Sequence, residues 1–123
     1  MDNCISVAIF DRTELMHRAG EDAALAEQLI AMFIVEAPQL IHTLQTASAQ
    51  HAYAAAHTAA HTLHGMSANL ATHALRNAAA AAEHAAAALL AIRLEQACKQ
   101  VQVEWDTLLH VLTAPHQNNN SGG

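Results

Sequence analysis

Between Gly65 and Pro115 the chain contains neither glycine nor proline. Because these two residues are the strongest helix breakers, their absence favours long helices over this half of the sequence. Its last part places apolar residues at alternating steps of four and three, which is typical of a helix packed in a bundle. These residues are Leu94, Cys98, Val101, Trp105, Leu108 and Leu112. The pattern predicts a final helix that Pro115 ends.

The first half of the chain carries clearer helix boundaries. Asp11 is a good N-cap for a short helix, and Gly20 is a good stop after it. A long helical pattern then covers about residues 22–50. Pro38 interrupts this pattern. Because proline lacks a backbone donor and clashes with the preceding turn, it predicts either a kink or two helices in near-continuation.

Two further helices are predicted in the middle of the chain. One covers about residues 52–71, and the next begins near His73, with Thr72 as a candidate cap. No glycine or proline marks the turn between this helix and the final one. A turn within residues 86–90 is therefore inferred only from the need of the chain to reverse direction.

Composition supports closely packed helices. Apolar residues make up 53% of the chain but aromatic residues only 3%, so much of the apolar content is alanine. Alanine is the best helix former and fills little core volume, which argues against a sandwich or barrel. We expect an all-α fold, an antiparallel up-and-down four-helix bundle with a short additional N-terminal helix. Residues 1–9 read as an extended lead-in, residues 10–114 as the bundle and residues 115–123 as a disordered polar tail.

Charge and cysteine content exclude several classes of function. The formal net charge of -6 argues against nucleic acid as a partner, because no basic patch is present to contact phosphates. Cys4 and Cys98 are far apart and lack a CxxC context, so neither a disulfide framework nor a thiolate metal site is indicated.

The apolar run 85–92 is too short for a membrane span. We expect a soluble domain without direct membrane contact.

The segment 60–72, AHTLHGMSANLAT, carries the candidate chemistry. If Leu63 faces the core of a helix, His61 lies about 200° round the helix axis and points to solvent. A glycine in a helix costs up to about 1 kcal/mol relative to alanine, so Gly65 favours a surface that another molecule approaches closely. The neighbours of His61 on this outer face are mostly small: Ala54, His57, Thr58, His64, Gly65 and Ala68.

This segment resembles the histidine-containing phosphotransfer (HPt) family. The residues that carry the resemblance are His61, Leu63, Gly65, Ser67 and Leu70, with Leu75 and Glu83 where the family has a leucine and an acidic or amide residue on the next helix. The resemblance extends from Phe10 to Leu112. The sequence departs from the family pattern at His64, where a lysine is usual, and at Ala71 and Thr72, where glycine and alanine are usual.

The resemblance implies a role for each site residue. His61 is expected to accept the phosphoryl group on Nε2, while Glu83 accepts the Nδ1 proton and fixes the tautomer. His64 is expected to contact the phosphoryl group in place of lysine, either when protonated or through one neutral hydrogen bond. Gly65 allows the close approach of a partner. We expect a partner to bind over Ala54, His57, Thr58 and Ala68, with Met16 on the first helix at the rim.

The chain has no P-loop and no glycine-rich nucleotide lid, so it has no ATP-dependent activity of its own. The resemblance implies that response regulator receiver domains donate and accept the phosphoryl group. They would supply the aspartate and the Mg²⁺, and this domain would bind no cofactor. We expect a cytoplasmic monomer that forms the C-terminal HPt domain of a hybrid sensor histidine kinase. In one arrangement, this kinase is anchored in the inner membrane.

Two other functions stay open on sequence grounds. His57, His61 and His64 lie at i, i+4 and i+7 on one helix face, so two of them can chelate Zn²⁺ with Glu83 as a further ligand. The departures from the family pattern also allow a helical bundle that binds receiver domains without accepting phosphate.

Overall fold

The structure is a computed structural model that describes residues 7–114. It contains five helices: α1 (Arg12–Arg18), α2 (Ala23–Ala49), α3 (Tyr53–Asn69), α4 (His73–Ala87) and α5 (Ala91–Thr113). A short helical stretch, residues 7–9, precedes them. No strand occurs within these residues, so the predicted all-α class is confirmed.

The four long helices form a closed bundle. Helix α3 packs against α2 and α4, and α5 packs against α4 and α2, so each long helix has two neighbours. Connections of three residues each join α2 to α3, α3 to α4 and α4 to α5. Connections this short make consecutive packed helices antiparallel. Helix α1 lies at one end of the bundle, where the backbone N–H of Asp11 donates to the carbonyl of Ala71 at 2.9 Å.

The three connections share one backbone geometry. Their middle residues, His51, Ala71 and Leu89, have φ values of 55°, 57° and 58°. In each, the N–H of the third residue donates to a carbonyl five residues earlier, as in Ala52 to Ala47 at 2.8 Å and Leu90 to Ala85 at 2.9 Å. This is the Schellman pattern of helix ends, for which glycine is the usual residue at positive φ. The turn in residues 86–90 is thus present although no glycine marks it.

For α2 the sequence predicts two alternatives, a kink at Pro38 or two helices in near-continuation. Helix α2 is a single α-helix that runs through Pro38, so the prediction of two separate helices is wrong. Pro38 is exposed, and the side-chain amide of Gln39 donates to the carbonyl of Val35 at 3.3 Å. The buried face of the helix spans Ala26 to Ala47 and includes Phe33, whose ring meets Trp105 of α5 edge to face at 5.5 Å. Burial of this face holds α2 in the bundle across the proline.

Two other details correct the sequence predictions. Residues 7–9 are helical, not extended, while the rest of the predicted lead-in and the tail 115–123 lie outside the described residues. Thr72 precedes α4 but does not cap it with its side chain. Its hydroxyl instead donates to the carbonyl of Ser67 at 2.9 Å, inside the α3 to α4 connection.

Helix α2 is also long and apolar enough to cross a membrane, judged by length and composition alone. The sequence argument considered only the run 85–92 and missed this helix. A core helix of a soluble protein passes the same test, and α2 buries Phe33, Ala37 and Leu44 almost completely against the other helices. Its apolar character is therefore weak evidence for a span.

Ala71 is the residue whose replacement tests the geometry of the α3 to α4 connection. Ala71→Gly should leave the free energy of unfolding close to that of the native protein, because relief of the positive φ, about 1 kcal/mol, offsets the loss of a buried methyl group of similar size. The matched control Ala81→Gly, at an exposed position inside α4, should lower it by about 1 kcal/mol. Urea unfolding of the three proteins measures both changes. Equal destabilisation by the two substitutions would show that Ala71 carries no strain.

Candidate functional site

His61 lies in the middle of α3 on the side that faces solvent. Its side chain is 68% exposed, whereas Leu63 is completely buried. The buried side of the helix consists of Ala56, Ala59, Ala60, Leu63 and Ser67. The orientation expected from the position of Leu63 is thus present in the structure, and the His61 ring is open to another molecule.

Glu83 of α4 lies beside this ring. Its Oε2 is 2.8 Å from Nδ1 of His61, and its Oε1 is 2.9 Å from Nδ1 of His64. Each oxygen of the carboxylate therefore contacts a different imidazole. The two helices can approach closely enough for these bonds because most of their buried residues are small, with Ala60, Ala79 and Ala82 among those without any exposed surface.

The protonation state of the cluster follows from Glu83. Burial raises the pKa of its carboxyl, but the hydrogen bonds from His61 and His64, together with their charges, lower this pKa by more, so that it lies below the ordinary value of 4.5. Glu83 is therefore an ionised acceptor at neutral pH. Both imidazoles must then carry a proton on Nδ1, and in the neutral ring the free lone pair is on Nε2.

This assignment corrects one expectation for His64. A neutral His64 that donates from Nδ1 to Glu83 has no second N–H, so it cannot also donate a hydrogen bond to a phosphoryl oxygen from Nε2. The neutral contact predicted from the sequence is therefore wrong for this arrangement of His64. Only the doubly protonated ring can keep its bond to Glu83 and donate from Nε2.

His57 completes a cluster of three histidines around one carboxylate. Its Nε2 is 3.8 Å from Oε2 of Glu83, beyond hydrogen-bond distance but close enough for an ion pair when the ring is protonated. Its ring lies parallel to that of His61, with an interplanar angle of 9° and centroids 6.1 Å apart. Glu83 therefore faces His57, His61 and His64 together.

The surface around His61 is formed largely by small residues. Thr58 and Ala54 are exposed one and two turns before His61, and the Thr58 hydroxyl donates to the carbonyl of Ala54 at 3.1 Å. Gly65 is exposed, and a Cβ placed on it would meet no atom within 4 Å. Packing inside the domain therefore does not require glycine here. Ala68, one turn further, is half-buried.

Helix α1 lies beside the C-terminal end of α3, because the backbone N–H of Asp11 donates to the carbonyl of Ala71, just after α3. Met16 is half-buried on α1 and packs against the core, while Leu15 is fully buried. Met16 thus lies partly exposed on the helix that adjoins the C-terminal end of α3.

A second cluster of ionisable residues joins α1 to α4. Oε1 of Glu14 is 2.9 Å from Nε2 of His73, and Oε2 of Glu14 accepts a hydrogen bond from Arg18 at 2.9 Å. The Arg18 bond, followed by that of His73, holds the pKa of Glu14 below its ordinary value despite some desolvation. Sequence reasoning missed this pair, because the two residues are far apart in the chain and only the docking of α1 brings them together.

The metal-binding hypothesis placed His57, His61 and His64 with Glu83. In residues 7–114, the group whose potential ligand atoms all lie within 4.8 Å of one another is a different one, Asp11, Glu14 and His73. Within the described residues, the α3 histidines and Glu83 are not a group that meets this distance criterion.

A family model described as "Hpt domain" matches residues 28–114, which cover most of α2 and all of α3, α4 and α5. No curated protein and no solved structure matches the chain.

Proposed function

Since this chain belongs to the Hpt domain family, whose members transfer phosphoryl groups through a histidine in phosphorelays, we propose that His61 is the residue that carries the phosphoryl group. It accepts the group from a phosphoaspartate of one receiver domain and passes it to the aspartate of another. The observation that carries this proposal is the exposed His61 ring, held through Nδ1 by Glu83 at 2.8 Å.

The transfer needs one bond to form and one to break. The lone pair of His61 Nε2 attacks the phosphorus of the aspartyl phosphate, and the bond from phosphorus to the aspartate oxygen breaks as the bond from nitrogen to phosphorus forms. The aspartate leaves as a carboxylate. Nδ1 keeps its proton, so the phosphorylated ring carries a positive charge. Passing the group to the second receiver is the reverse of this step.

Glu83 supports the transfer in two ways. By accepting the Nδ1 proton it selects the tautomer in which Nε2 is the nucleophile and fixes the angle of the ring. Its negative charge, held by the lowered pKa, also stabilises the positive charge that develops on the ring as the bond to phosphorus forms. Both effects lower the free energy of the transition state relative to that of the unreacted imidazole.

His64 takes the place of the lysine that is usual in the family. When doubly protonated, it keeps its bond to Glu83 and offers the Nε2 proton to a phosphoryl oxygen on His61. His57, whose ring is parallel to that of His61, adds a second positive charge when it is protonated. The charge that stabilises the phosphorylated state therefore depends on pH, unlike the charge of a lysine.

Hpt domains interact with receiver domains in phosphorelays. We place the receiver over the small residues that surround His61, where Gly65 leaves room that the domain itself does not fill. The bound receiver supplies the aspartate and Mg²⁺, so this domain needs no metal of its own. Met16 lies at the rim of the contact surface, and Ala54, Thr58 and Ala68 lie within it.

Hpt domains are generally soluble cytoplasmic domains. We propose that this one acts as a monomer in the cytoplasm, as the C-terminal domain of a hybrid sensor histidine kinase. The proposal rests on the family and, for the monomer, on the pair of His61 and Glu83, which needs no second copy of the chain to complete it.

Phosphotransfer to His61 is tested with a receiver domain that has first been shown to bind this protein by chemical-shift perturbation. The receiver is phosphorylated on aspartate with acetyl phosphate and Mg²⁺, freed of donor and mixed with the native protein or with His61→Gln. We expect phosphate on His61, mapped by mass spectrometry, and at least about tenfold slower total transfer to His61→Gln, because the best-oriented nucleophile is gone.

His42→Gln is the matched control, since His42 is exposed on α2 and outside the cluster. It should behave as the native protein. A receiver that binds the domain but never transfers phosphate to it would contradict the proposal and leave only a receiver-binding function.

The pH dependence tests the role of His64. As pH rises from about 6 to 8, histidine loses its charge while lysine keeps it. The phosphorylated fraction of the native protein at equilibrium with a receiver should therefore fall, relative to that of His64→Lys, over this range. The ratio of the two equilibrium constants, calculated from these fractions with the same receiver, cancels the pH dependence of the receiver. A ratio that does not change with pH would show that His64 makes no charged contact with the phosphoryl group.

A further inference from the structure

We propose that His64 is a second phosphoryl acceptor, which shares the carboxylate of Glu83 with His61. The proposal rests on the role given to Glu83 above but assigns a further modification site. Its basis is the arrangement of the two rings, in which each imidazole donates from Nδ1 to one oxygen of the same carboxylate.

The two imidazoles have equivalent hydrogen bonds. The distance from Nδ1 to the carboxylate oxygen is 2.8 Å for His61 and 2.9 Å for His64. An ionised carboxylate only accepts, so it imposes the same tautomer on both rings and leaves the lone pair on Nε2 in both. The feature that makes His61 a suitable nucleophile is therefore present a second time, three residues later on the same helix.

The His64 ring is also within reach of a donor. Its side chain is 37% exposed, against 68% for His61, so it is less open but not enclosed. Residues three apart on a helix are neighbours on its surface. Gly65 follows directly, and a Cβ added to it would meet no atom within 4 Å apart from those of its chain neighbours and the backbone of its own helix. From its lower exposure we expect His64 to react more slowly than His61.

The chemical step at His64 is the same as at His61. Nε2 attacks phosphorus, the bond from phosphorus to the leaving group of the donor breaks, and Nδ1 keeps its proton in the bond to Glu83. The ring that forms is a positively charged phosphoimidazole opposite a negative carboxylate. No other reactant is needed besides the phosphoryl donor.

Phosphorylation of the two histidines should be mutually exclusive. Both phosphoryl groups are dianionic near neutral pH and would lie on neighbouring positions of one helix beside a single carboxylate. Their repulsion and the one shared counter-charge favour a single phosphate per domain. In the native protein, phosphate on His61 therefore suppresses phosphate on His64, and the second site becomes evident when the first is removed.

The test uses phosphoramidate, a small donor that phosphorylates imidazoles without a receiver and releases ammonia as its bond from nitrogen to phosphorus breaks. The proteins are native, His61→Gln, and the double variant His61→Gln with Glu83→Gln. Phosphorylation is mapped by mass spectrometry at neutral pH. The internal references are His42 and His110. Both are exposed, and within residues 7–114 neither has a carboxylate partner.

In His61→Gln we expect His64 to be labelled at least about tenfold faster than His42 and His110, because its tautomer is fixed and its developing charge is stabilised. In the double variant this advantage should disappear. Circular dichroism and thermal unfolding verify that both variants stay folded.

The proposal is overturned if His64 in His61→Gln is labelled no faster than the reference histidines, or if the advantage survives the loss of Glu83. Because no receiver takes part, either result leaves the proposed transfer between His61 and receivers intact. Conversely, fast labelling of His64 by phosphoramidate would stand even if no receiver transferred phosphate to the domain.

Discussion

The carboxylate of Glu83 is the interaction on which the site depends. It joins two helices, receives Nδ1 protons from two imidazoles and faces a third histidine, His57. A carboxylate that is largely removed from solvent is destabilised unless such partners compensate for it, and here they do so enough to leave its pKa lowered. The same interactions fix both ring tautomers. The contacts that compensate the charge of Glu83 are thus the same ones that orient the His61 ring.

The bundle is built to bring α3 and α4 close enough for this contact. Their buried residues are mostly alanine, which fills little space between helix axes. The large buried side chains of these two helices are Leu63 and Leu75, and the aromatic pair Phe33 and Trp105 lies on α2 and α5. The connection between the helices sets their register. It places a buried alanine, Ala71, at positive φ, and its carbonyl accepts a bond from Asp11. Alanine at this position therefore adopts the left-handed backbone at the cost of local strain.

The sequence predicted much of this fold and part of the site. Periodicity gave the long helices because their buried residues recur at steps of three and four, Asp11 and Gly20 gave the short first helix as its cap and stop, and Leu63 was enough to orient His61. The pairing of His61 with Glu83 came from the resemblance to the HPt family, since the sequence alone does not state which residues of α4 face α3. The bond of His64 to the other oxygen of Glu83 was not predicted. Periodicity places a side chain on a helix face but does not say which atoms of a neighbouring helix it reaches.

The central claim is that Glu83 holds both imidazoles as Nδ1–H tautomers. Correlation of ring protons with ring nitrogens by ¹⁵N NMR, at about pH 8 where histidine is neutral, reads the tautomer of His61 and His64 directly. The account predicts protonated Nδ1 and unprotonated Nε2 in both rings, with Nδ1 protons that are slow to exchange. An Nε2–H tautomer on His61 would contradict it, because the nitrogen proposed to attack phosphorus would then carry no free lone pair.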